Sequence, residues 1–145
     1  MKLYTIGFTQ KSAETFFGLL RQHGVQRLVD IRLNPNGQLS GFAKQNDLPY
    51  LLANLASCEY IYAPELAPTK EILEDYRKSS DWQQYVARFE ALMNERGVPD
   101  ILQRADFDER VSCLLCSEPT PERCHRRLVA ERLAKAWLNV EVIHL

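Results

Sequence analysis

The spacing of apolar residues changes several times along the chain, and each change marks an element. Residues 3–6 form a short apolar run that Gly7 ends, which predicts a strand. From Ser12 the spacing becomes helical. Phe16, Phe17, Leu19 and Leu20 recur on one face, Ser12 is a good N-cap, and Gly24 lies just past the end as a C-terminal stop. Residues 25–31 read as a second strand that closes on Asp30-Ile31-Arg32. Asn34-Pro35-Asn36-Gly37 is a turn cluster, and a loop with Gly41-Phe42 follows it. Residues 48–55 predict a helix capped by Asp47 or Asn46, with Pro49 in its first turn. Residues 59–62 predict a third strand, ended by Pro64.

Two more helices are expected next. One covers about 69–78. The other starts at an Asp81 cap, carries Trp82, Tyr85, Val86, Phe89, Leu92 and Met93 at helical spacing, and stops at Gly97. Pro99 to about Arg104 reads as a further turn or two of helix. Residues 111–116 predict a strand and 121–138 the final helix, with Thr120 as its N-cap and Pro121 at its first position. Residues 140–143 predict the last strand.

Strands that alternate with helices across short connections specify an α/β fold. The expectation is one compact domain over residues 1–145, built on a mainly parallel sheet of four to five strands with helices on both faces. Open sheets of this kind bind ligands beyond the carboxyl ends of their strands. Residues 5–9, 30–32 and 116–118 would meet there.

Charge and composition narrow the classes of function. With 18 basic and 19 acidic residues the net charge is −1, which gives no general attraction to nucleic acid or anionic membrane. No apolar run approaches the ~18–20 residues that span a bilayer. The N-terminus is too short and strand-like for a signal peptide, so a cytoplasmic location and no membrane partner are expected. Four cysteines in such a chain read as thiols, catalytic groups or metal ligands before they read as a disulfide frame.

Residues 114–127 concentrate the unusual chemistry. Cys124 is placed in the first turn of the final helix, beside His125, Arg123 and Arg126, surroundings that stabilise a thiolate. Cys116 ends the preceding strand within reach of it. The pair reads as a nucleophile with its resolving thiol, as a metal site with His125 and Glu118, or as a single active cysteine; the competing reading is core packing. Adjacent helical positions lie about 100° apart, which disfavours joint ligation by Cys124 and His125. Cys113 drops out, because residues three apart on a strand face opposite sides. His125 is a candidate general acid or base. Asp30 and Glu118 are candidate carboxylates. Arg32 and Arg126, with Arg123 and Arg127, are candidate anion holders, against the alternative of a solvated basic face. Arg126 is placed either to hold a phosphate or carboxylate or to pair with Asp30 across the strand ends. Asp30 and Arg32, two apart and facing one side, read as a buried ion pair or as an acid with its positioning cation. Thr5 and Gly7 belong to the same predicted edge, where Gly7 permits close approach of backbone or ligand.

These residues resemble a known family. Thr5-Ile6-Gly7, Val29-Asp30-Ile31-Arg32 followed by Asn34-Pro35, Phe42, Tyr60-x-Tyr62-x-Pro64-Glu65-Leu66, and Cys116-x-Glu118 followed by Cys124-His125-Arg126 are similar to the family catalogued as domain of unknown function 488. The likeness runs in order over essentially the whole chain, and Ala67 stands where that family tends to carry glycine. It implies a small cytoplasmic α/β protein and supplies no reaction. The functional expectation from the residues is an enzyme with a Cys/His/Arg/Asp site acting on a small anionic or nucleotide-like substrate. The alternatives are a nucleic-acid-associated accessory domain using the arginine cluster, or a small protein binding metal through Cys116, Cys124 and His125. No cofactor is indicated.

Overall fold

The centre of the fold is a five-stranded sheet in which every pairing is parallel. The computed structural model describes residues 1–145. Its strands are β1 (Lys2–Gly7), β2 (Arg27–Asp30), β3 (Glu59–Tyr62), β4 (Ser112–Cys116) and β5 (Glu141–His144), in the spatial order β3-β2-β4-β1-β5. The three inner strands are almost wholly buried, whereas β3 and β5, at the edges, are half-buried. The inner strands are covered on both faces, so even their polar residues Thr5, Arg27, Asp30 and Ser112 are buried.

Helices cover both faces. On one side α1 (Ala13–Gln22) and α2 (Leu48–Ala56) pack Phe16, Phe17, Leu20, Leu48 and Leu52 against Tyr4, Ile6, Leu28, Cys113 and Leu115. On the other, α3 (Lys70–Ser79), α4 (Trp82–Arg96), α5 (Arg104–Glu109) and α6 (His125–Ala136) pack Ile72, Phe89, Met93, Phe107, Val129 and Leu133 against Leu3, Val29, Ile31 and Leu114. Fully burying one such side chain contributes about 1.5–3 kcal/mol. Alternation along β4 sends Cys113 and Leu115 to the first face, Leu114 and Cys116 to the second. No helix is long and apolar enough to cross a membrane.

Most caps agree with expectation. Ser12, Thr69 and Asp81 each accept a bond from the backbone N–H three residues on. Gly97 ends α4 at φ 74°. Asp47 occupies the cap position of α2 but makes no capping bond, because its backbone is already in the helical region. The stretch after Pro99 is a turn, and the helix comes later, at α5, where its buried anchor Phe107 packs on Trp137. Residues 38–43, expected as loop, form two short 3-10 turns kinked at Gly41, whose φ of 53° and ψ of −126° only glycine adopts readily.

The largest correction concerns the final helix. It begins at His125 instead of Pro121, and its N-cap is Cys124 (φ −137°, ψ 139°) in place of Thr120. Residues 121–124 form a turn in which the Cys124 N–H donates to the Pro121 carbonyl at 3.3 Å. Local propensity favoured Thr120-Pro121, but a weak local preference yields where tertiary contacts fix the chain on either side. Here Cys124 is held against Cys116 and His125 against Ile31. At the other end α6 stops at Ala136, and Asn139, at φ 59°, turns the chain into β5.

Candidate functional site

The carboxyl ends of β1, β4 and β2 align, with Gly7 opposite Cys116 and Asp30 opposite Leu115. Cys116 is the last residue of β4 and points to the α6 side. Cys124 Sγ lies 2.9 Å from Cys116 Sγ, and His125 Nδ1 lies 3.5 Å from the same sulfur. His125 Nε2 is 2.7 Å from the Ile31 carbonyl. A carbonyl only accepts, so Nε2 carries a hydrogen and Nδ1 is the nitrogen that meets the sulfur. All three side chains are buried.

The extended backbone at Cys124 makes this convergence possible. The expectation that Cys124 and His125 diverge by about 100° assumed both were helical. Because Cys124 stands outside the helix, its sulfur and the imidazole both reach Cys116, and the three ligand-type atoms lie within 4.8 Å of one another.

Electrostatics divide the two thiols. Burial alone would push Cys116 up. The hydrogen bond from Cys124, the charge and hydrogen bond of His125, and the backbone N–H of Glu118 more than reverse this and hold it well below the usual thiol range. Cys124 moves the other way, raised by burial and then by bonding to, and standing beside, a negative Cys116. Burial alone would lower His125, but the charge of Cys116 and the bonds to Cys116 and Ile31 raise it. These opposite directions favour negative charge on Cys116 and positive charge on His125, with the Cys124 thiol donating to Cys116.

These atoms lie at one end of a cavity of about 400 Å³. One wall is the β2 loop, with Arg32, Asn34 and Ser40; another is Pro68, Leu73, Tyr76 and Arg77 from α3 and its approach; Cys116–Glu118 and Arg123–His125 complete it. Arg32, Glu118, Cys116, Cys124 and His125 are therefore brought together. Glu118 is exposed at the rim.

Asp30, Thr5, Gly7 and Arg126 do not line the cavity. Asp30 is wholly buried and accepts from Arg32 Nε and Nη2 (2.8 Å each) and from the Tyr60 hydroxyl (2.6 Å). Of the two pairings offered, the one with Arg32, two residues on along the same strand edge, forms and the one with Arg126 does not, while Tyr60 is brought in by β3. Asp30 holds Arg32, whose Nη2 also donates to the Ala43 carbonyl at 2.7 Å while its guanidinium covers the Phe8 ring. Thr5 is bonded to His144 at 2.6 Å. A methyl group on Gly7 would sit 1.7 Å from the Glu118 carbonyl oxygen, so glycine there admits backbone, and through it fixes the turn that carries the Glu118 N–H. Arg126 is wholly buried beneath that turn, where Nη2 reaches the Pro119 carbonyl at 3.4 Å and Nε and Nη1 have no partner. Arg127 lies over Trp82 and beside Glu131.

Sequence reasoning missed Arg77 and the pocket-facing role of Tyr76 and Tyr85. No local signal marks Arg77, an exposed cation on an amphipathic helix. Tyr85 is buried, its hydroxyl raised first by burial and then by the charges of Cys116 and Cys124.

Comparison with known proteins places the whole arrangement. The family model "Domain of unknown function DUF488" matches residues 12–133. The chain belongs to that family. The matched span contains every residue of the cavity except Phe8, so the thiol pair and its histidine lie within the family domain. No curated protein and no solved structure matches the chain. The family description names no activity, and chemistry has to be argued from the site itself.

Proposed function

We propose that this protein is a thiol-dependent enzyme acting on a small anionic substrate at the carboxyl edge of its sheet. Cys116 is the nucleophile, His125 the acid–base group, and Cys124 the second thiol that steadies the nucleophile's charge. The observation that carries the reading is the single sulfur of Cys116 meeting both Cys124 Sγ at 2.9 Å and His125 Nδ1 at 3.5 Å beside a cavity. A thiol with an adjacent base that a third group orients is the general plan of an activated nucleophile. Here the Ile31 carbonyl orients the base. Arg77 and Arg123, exposed at the cavity, support an anionic substrate, whereas the charge of Arg32 is balanced by Asp30.

The rival reading is a soft metal ion between the same three side chains. Two thiolates on one tetrahedral ion, with bonds of ~2.3 Å, stand roughly 3.8 Å apart. The sulfurs here are at 2.9 Å, shorter than that separation and nearer the ~2.05 Å of a disulfide. Elemental analysis of protein purified without chelator separates the two, and near-stoichiometric zinc or iron would overturn the thiol reading.

The direct test is alkylation by iodoacetamide at neutral pH, located by peptide mass mapping. Cys116 is expected to react at least ~10-fold faster than Cys58 or Cys113, and equal slow reaction at all sites would sink the proposal.

A further inference from the structure

The cavity and the thiol pair together specify a reaction class and a substrate class. Cys124 Sγ at 2.9 Å from Cys116 Sγ is about 0.9 Å beyond the length of a sulfur–sulfur bond, ~2.05 Å. A second sulfur so placed can displace whatever Cys116 has bonded to, provided the bond is one that sulfur breaks readily, and a disulfide is such a bond. Around the sulfurs, the cavity carries Arg77 and Arg123 against one glutamate, the charge of Arg32 being balanced by Asp30, with an apolar wall from Pro68, Leu73 and Tyr76. Asp30 and Ala43 fix Arg32 in place, so that wall keeps a guanidinium. The lining suits an apolar or aromatic body bearing acidic groups.

We propose that Cys116 and Cys124 are a cycling dithiol that reduces small disulfides carrying acidic groups. This rests on Cys116 being the nucleophile argued above. In the first step the Cys116 thiolate attacks one sulfur of the substrate; a Cys116–S bond forms, the substrate S–S bond breaks, and the departing thiolate takes a proton from the His125 imidazolium. In the second, Cys124 gives its proton to the now neutral His125 and attacks Cys116 Sγ. The Cys116–Cys124 bond forms, the mixed disulfide breaks, and the second substrate thiolate leaves, taking that proton. The protein dithiol is oxidised by two electrons and one substrate disulfide becomes two thiols. An external thiol, either two monothiols or one dithiol, restores the starting state by the reverse exchange.

The other cysteines do not compete. Cys58 and Cys113 lie in the core on the opposite face of the sheet. Burial raises the Cys58 thiol to about 12 and Cys113 well above its ordinary value.

The test uses the reduced, full-length protein with two probes: dithiobis(nitrobenzoate), a dianionic aromatic disulfide, and cystamine, a dicationic one. The expected result with the first is rapid release of two thionitrobenzoates per chain, an intact mass lower by two hydrogens, and a Cys116–Cys124 cross-link in the peptide map. With each rate divided by that of free cysteine toward the same probe, which removes the leaving-group difference, cystamine should react at least ~10-fold more slowly, and Arg123→Glu should narrow that gap. Cys124→Ser should release one thionitrobenzoate and keep the adduct on Cys116, whereas Cys116→Ser should lose the rapid phase. A mixed disulfide that persists in the wild-type chain overturns the dithiol cycle, and equal rates for the two probes after division by their free-cysteine rates overturn the acidic substrate class. Rapid alkylation of Cys116 without an intramolecular disulfide leaves the nucleophile standing and removes only this inference. Slow alkylation removes both. The wild-type measurement needs no variant, so a substitution that fails to fold does not cloud the outcome.

Discussion

Cys124 caps helix α6 and, in the same extended conformation, rests its sulfur 2.9 Å from that of Cys116. The helix boundary and the reactive pair are thus one feature. Continuing the helix back to Pro121 would turn Cys124 into a helical residue and swing its sulfur from Cys116. What sets the surroundings of Cys116 is the place where the helix begins.

The pH dependence of Cys116 alkylation follows from its surroundings. Cys116 is lowered and His125 raised, so the ion pair exists between the two values. Reactivity should be present at pH values well below an ordinary thiol's ~8.5 and should vanish only when acid protonates the thiolate. His125→Asn should move that acid limb upward and reduce the rate at pH 6 by about 10- to 100-fold, with circular dichroism confirming that the fold persists. An unchanged pH profile in the variant would remove His125 from the pair.

Gly7 is expected to tolerate no side chain. A Cβ there would lie 1.7 Å from the Glu118 carbonyl oxygen, which is backbone and cannot step aside alone. Gly7→Ala should destabilise by about 2 kcal/mol or more and, by shifting the Glu118 N–H, slow Cys116 alkylation in the folded population. Chemical denaturation and alkylation rates measured on the same sample check both parts.

Asp30 and Arg32 form an ion pair that is almost fully buried (side chains 0% and 3% exposed). Removing one partner leaves a buried charge uncompensated, so Asp30→Ala should cost about 3–5 kcal/mol in urea denaturation. Tyr60→Phe deletes only the 2.6 Å hydroxyl bond to the same carboxylate and should cost nearer ~1–2 kcal/mol. Equal losses in the two variants would contradict this division.

Anion recognition is assigned to Arg77 and Arg123 at the cavity, and Arg126 is buried away from it. Arg77→Ala with Arg123→Ala should weaken protection of Cys116 by an anionic competitor by about 10-fold, with little change in melting temperature because both side chains are exposed. Protection that survives the double substitution would place the anion elsewhere.

The sequence alone determined much of this protein. Alternating strands and helices specified the parallel α/β architecture, because parallel strands need crossover helices between them. The two-residue period of a strand was enough to send Cys113 to the far core and to place Asp30 and Arg32 on one side. Those are local rules, and backbone geometry enforces them wherever a strand forms.

Only the tertiary structure decided the rest. Thr120-Pro121 carries a good local start signal, yet α6 begins at His125, because contacts of Cys124 with Cys116 and of His125 with Ile31 outweigh a capping preference of about 1 kcal/mol. The sequence offered Asp30 both Arg32 and Arg126; tertiary structure selected Arg32 and added Tyr60, brought in by the β2–β3 pairing between residues 30 positions apart. Arg77 reached the cavity through the packing of α3, for which a solvent-facing cation leaves no trace in the chain. Local pattern fixes which elements form and which face each residue takes; which side chains meet at the strand ends depends on distant segments, and one sequence window contains only one of them.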